Sequence, residues 1–62
     1  MAKYGVYMFE VDVDGGSAFQ HTKVMTTTAI GYCEAEDNIM RKLREEYKNV
    51  IAFFNVKKYT RL

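Results

Sequence analysis

The 62-residue chain has one cysteine, Cys33, and one histidine, His21, and these two shortages exclude most of the devices that hold very small domains together. With a single cysteine no disulfide can form within the chain. A structural zinc site needs four cysteine or histidine ligands in paired spacing, and the chain holds two such residues in all. A chain of this length makes one domain with a marginal core, so oligomerisation is the remaining source of stability that its composition allows.

Long hydrophobic runs are also lacking. Lys3 and Glu10 interrupt the apolar N-terminal stretch before it reaches signal-peptide length, and no segment has the length of a membrane span. The expectation is a soluble, cytoplasmic protein without membrane contact, and one unpaired thiol agrees with a reducing compartment.

What is present reads as a single α+β domain over residues 1–62. From about residue 3 to 13, Tyr7, Phe9, Val11 and Val13 alternate with Tyr4, Val6, Met8, Glu10 and Asp12, as in a strand. Asp14, Gly15, Gly16 and Ser17 form a turn in which glycine supplies positive φ, and a second strand over about 18–28 completes a hairpin. Over about 33–48, Ala35, Ile39, Leu43 and Tyr47 recur as one apolar helix stripe, with Gly31 before it and Asn49 as a left-handed stop after it. Glu34, Glu36 and Asp37 near the start of this helix, and Arg41, Lys42, Arg44 and Lys48 toward its end, suit the helix dipole. Residues 50–59 alternate again as a third strand.

The first strand is apolar on both sides and belongs in the centre, while the second, with Gln20, His21, Thr22 and Lys23, suits an edge. The expected architecture is therefore ββαβ, a three-stranded antiparallel sheet of order 2-1-3 with one helix packed on one face. A helix of this length is about 24 Å long and covers one face of such a sheet, leaving the other open. Tyr7, Phe9, Val11, Phe54 and Val56 form the more continuous apolar set and are assigned to the helix. Tyr4, Val6, Met8, Ile51, Phe53 and Tyr59 then occupy the open face, an apolar exposure that points to an interface, with a second copy of the chain or with another protein.

Charge divides along the chain. Residues 1–38 carry two bases and six acids, and residues 39–62 carry seven bases and two acids, for a net charge of +1. Lys57, Lys58 and Arg61 beside Tyr59 form a candidate contact for nucleic acid or for an acidic partner. The near-neutral balance and a sequence pI near 7.8 are below the usual basic footprint of a nucleic-acid binder.

No chemical motif is complete. Glu10, Asp12, Asp14 and Gly15 imitate the start of a calcium loop, but Ser17 stands where an apolar residue belongs and His21 where a bidentate glutamate belongs. His21 and Cys33 could form a thiolate–imidazole pair, yet no spacing rule joins them and no third residue orients them. Glycine-rich phosphate loops are absent, and the paired carboxylates occur only on the hairpin. These features imply no catalytic residues, no metal and no cofactor.

The order of hairpin, helix and strand, with the Thr22-Lys23 pair in the second strand, resembles the module of the archaeal ribosomal protein LX and its eukaryotic relatives. That resemblance implies binding to ribosomal RNA by strongly basic members. In size and compact α+β layout the chain is also similar to small phage-encoded inhibitors of the anti-CRISPR kind, which implies a protein target. Taken together, the residues point to a small non-enzymatic interaction protein, of inhibitor, adaptor or assembly-factor type, that binds another protein and forms a homodimer through its open sheet face. The alternative is a nucleic-acid-binding protein that uses the basic C-terminal half.

Overall fold

A computed structural model describes residues 3–62, with strands β1 (Gly5–Asp14), β2 (Gln20–Ala29) and β3 (Phe53–Arg61), and a helix α1 (Tyr32–Glu46) between β2 and β3. The sheet is antiparallel throughout and has the expected order β2-β1-β3. Alternation puts Tyr7, Phe9, Val11 and Val13 of β1 beneath Ala35, Ile39 and Leu43 of α1, and these residues with Ala29 form the buried core. Phe54 and Val56 of β3 are half-buried at its border.

The hairpin turn depends on two glycines for different reasons. Gly16 has φ of +70° and donates its N–H to Asp14 Oδ1 at 2.8 Å, so a side chain there would strain the backbone. Gly15 leaves room for the Phe19 ring, whose nearest atom would lie 2.3 Å from a Cβ at this position. Phe19 folding back over Gly15 lengthens the loop, and β2 consequently begins at Gln20, two residues later than the sequence pattern suggests.

Both ends of the helix depart from expectation. Its first residue is Tyr32, one residue early, and Glu34 reaches back to accept the Ile30 N–H at 3.2 Å. It stops at Glu46, because Tyr47 leaves helical geometry (φ −107°, ψ 24°) and turns its ring toward Phe19 and His21. Asn49 is not a left-handed stop, since no non-glycine among the described residues has positive φ. β3 starts at Phe53 and not at Val50, for β1 ends at Asp14, which pairs with Phe53, so Val50 and Ile51 have no strand beside them.

One irregularity sets the layout of β3. Phe9 pairs with Tyr59, Glu10 with Lys58 and Val11 with Val56, so Lys57 is an extra residue and a bulge opens between Glu10 and Val11. Beyond the bulge the alternation of β3 changes phase. The helix itself is off-centre, packing mainly on β2 and then on β1, which leaves the helix side of β3 partly uncovered.

Candidate protein-binding surfaces

The open face is built from the even-numbered residues of β1 and their cross-strand partners. Val6 pairs with Thr28, and Met8 stands between Thr26 and Thr60. The Leu62 N–H donates to Val6 O at 2.8 Å, which carries the β3 pairing one rung further. Tyr4 precedes β1 and Ile30 follows β2 at the same end, and Tyr4, Val6, Ile30 and Leu62 are all exposed, at 66%, 42%, 46% and 67%. This end of the face is apolar with a threonine border.

The rest of the face is mainly polar, with Val24 and Phe53 its exposed apolar members. Val24, Glu10 and Lys58 form one rung, Thr22, Asp12 and Asn55 the next, and Gln20, Asp14 and Phe53 the last. Asp12 accepts the Thr22 hydroxyl at 2.8 Å. Val6 and Asp14 are eight positions apart along β1, about 26 Å at about 3.3 Å per residue.

The six apolar residues assigned to this face therefore do not form one patch. Tyr4, Val6 and Met8 are brought together, but Phe53 lies at the far end and Ile51, 86% exposed, lies beyond the last rung. Tyr59 is on the opposite side of the sheet, 5.9 Å from the Phe9 ring and 4.3 Å from the Tyr32 ring between centroids. Its displacement is a direct result of the bulge, which uninterrupted alternation from Phe53 does not anticipate. Sequence reasoning missed Ile30, which extending the parity of β2 by one residue would have found, and Leu62, which reaches this face only because the bulge changes the phase of β3.

The three candidate basic residues also separate. Lys57 and Lys58 together oppose Glu10 across the bulge, whereas the Arg61 guanidinium sits 5.8 Å from the centre of the Tyr7 ring on the helix side. A flat stacking platform of Tyr59 with all three is not formed.

On the helix side, a groove of about 500 Å³ runs between α1 and β3, lined by Tyr32, Glu36, Met40, Phe54, Val56 and Tyr59 among others. Tyr32 Oη donates to Glu36 Oε2 at 2.7 Å, and this hydrogen bond, with some desolvation and the carboxylate charge, raises the Tyr32 pKa above the ordinary phenol value. At the other end of the helix, Lys23 of β2 is bonded to Glu46, whose pKa is lowered chiefly by that hydrogen bond.

Cys33 is exposed in the first turn of α1, past the end of β2. His21 lies near the start of β2 and bonds Tyr47, so the length of the strand separates the two. Among the described residues no group of three histidine, cysteine or carboxylate side chains could hold a metal ion, and no helix is long and apolar enough to cross a membrane.

No family model matches the chain, and no curated protein or solved structure is significantly similar to it.

Proposed function

We propose that this chain is a non-enzymatic protein-binding domain, of inhibitor, adaptor or assembly-factor type, that works as a homodimer through the apolar end of its open sheet face. The observation that supports this reading is the clustering of Tyr4, Val6, Met8, Ile30 and Leu62 at one end of a sheet that has α1 on its other face. A two-fold axis through that end sets the patch against its own copy and keeps Glu10, Asp12 and Asp14 in water. Burial of exposed apolar surface then supplies the stabilisation that a chain this short cannot draw from its own core.

Light scattering at micromolar concentration tests the reading. The expected mass is twice the 7.2 kDa of one chain. Val6→Asp should give a folded monomer, whereas Phe53→Asp, at the other end of the face, should leave the dimer intact. A wild-type monomer, or equal dissociation by both substitutions, rejects the assignment.

A further inference from the structure

An open sheet has two edges, each a row of backbone groups able to pair with another chain, and this protein treats its edges differently. Along β2 two outward carbonyls, both at the end nearer the helix start, already have side-chain partners, for Asn38 Nδ2 donates to Thr28 O at 3.4 Å and Lys42 Nζ donates to Thr26 O at 3.3 Å. Among the described residues no side chain makes an equivalent bond to the backbone of β3. The Leu62 N–H points toward β1, where it bonds Val6 O. Directions alternate along a strand, so the N–H groups of Tyr59 and Arg61 point outward.

The groove between α1 and β3 lies beside this free edge, and its lining is mixed: Met40, Phe54, Val56 and the two tyrosines are its apolar part, while Lys57 and Lys58 on the strand and Glu36, bonded to Tyr32 on the helix, are polar. We propose that β3 accepts an extended acidic segment of a partner protein as a fourth strand. The segment's alternate apolar side chains enter the groove, and its carboxylates lie beside Lys57 and Lys58. Main-chain bonds to the edge supply affinity, and the groove supplies selection among side chains.

Charge decides the occupant. β3 carries three bases, Lys57, Lys58 and Arg61, and no acid. Pairing β3 with β3 of a second copy would set basic residues against basic residues across the new ladder, which is destabilising, whereas an acidic segment reverses the sign. This inference rests on the reading of the chain as a protein-binding domain, but it uses a surface separate from the dimer patch.

A fluorescein-labelled peptide of alternating Glu and Val tests it by anisotropy and by amide chemical shifts of the full chain. Two controls accompany it, an alternating Lys and Val peptide and a peptide of the same Glu and Val content arranged in two blocks. The alternating acidic peptide should bind, shift the Tyr59 and Arg61 amides, and lose about tenfold in affinity when Lys57 and Lys58 are both changed to Glu. Arg61→Pro, which removes an outward N–H and one charge without removing a bond to β1, should weaken it more than Arg61→Gln, which removes the charge alone. Circular dichroism establishes that each variant is folded, and if Arg61→Pro unfolds, the exposed lysine pair decides the matter. Absence of binding, equal binding of the block peptide, unchanged affinity in the lysine variant, or shifts confined to β2 would overturn the proposal. Val6→Asp should leave peptide binding unchanged, so failure of the dimer and failure of the edge site are read separately.

Discussion

His21 Nε2 and Tyr47 Oη meet at 2.9 Å, joining the beginning of β2 to the residue on which α1 ends. The Tyr47 ring is also 5.7 Å from those of Phe19 and Phe54, so one side chain connects the hairpin, the helix and β3. Because the hydrogen bond is exposed, Tyr47→Phe should cost about 0.5 kcal/mol. Tyr47→Ala removes half-buried ring surface and should cost about 1–2 kcal/mol, with the difference measured by urea unfolding.

Leu43 is fully buried in the last turns of α1 and has no polar role. Leu43→Ala should destabilise the fold by about 2–5 kcal/mol, a large share of what so small a domain possesses. The denaturation midpoint should fall while the slope of the transition holds. A change below about 0.5 kcal/mol, of the size usual for surface sites, would contradict the packing described.

Deletion of Lys57 should be tolerated. Lys57 is the unmatched residue of the bulge, and without it Val56, Lys58 and Tyr59 follow regular alternation with Tyr59 still beside Phe9. The shortened chain should keep its thermal midpoint within a few degrees and retain contacts between the Phe9 and Tyr59 rings in nuclear Overhauser spectra. Loss of those contacts would show that the bulge is required for the face of Tyr59, and not merely accommodated.

The Tyr32 pKa is raised, first by its hydrogen bond to Glu36, then by desolvation and by the carboxylate charge. A raised folded-state value means that its contribution is complete below the unfolded phenol pKa of about 10 and is lost as pH rises through the folded value. Glu36→Ala removes acceptor and charge together. In a spectrophotometric titration one tyrosine transition should move to lower pH, and an unchanged curve would place the Tyr32 hydroxyl elsewhere.

Glu46 has the opposite sign. Its pKa is lowered, chiefly by the hydrogen bond from Lys23, so its contribution is present above the unfolded value of about 4.3 and disappears as pH falls through the folded one. The group is exposed, and salt should weaken the effect. In carboxyl-carbon NMR, Lys23→Met should return Glu46 toward ordinary titration, and a Glu46 curve identical in both proteins would refute the pairing.

Much of this arrangement is legible in residue order because its signals are local. Alternation in β1 identified Tyr7, Phe9 and Val11 as the inner side, and the spacing of Ala35, Ile39 and Leu43 identified the buried stripe of α1. The partners of the helix charges were less legible. Lys42 donates to Thr26 O, Glu46 pairs with Lys23, and Glu45 pairs with Lys48, because nearby strand and turn groups offer partners that a helix considered alone does not have.

The one helix, the three strands and the sheet left open on one face follow from the sequence itself, since each depends on periodicity within a segment. Which residues meet on the uncovered surfaces was decided by tertiary structure. The end of β1 at Asp14 left Ile51 outside the sheet, the off-centre helix opened the groove along β3, and accommodation of Lys57 as a bulge put Tyr59 beside Phe9. Each of these depends on how one strand is matched to another, and a slip of one residue there exchanges the faces of a strand without altering its hydrophobic pattern.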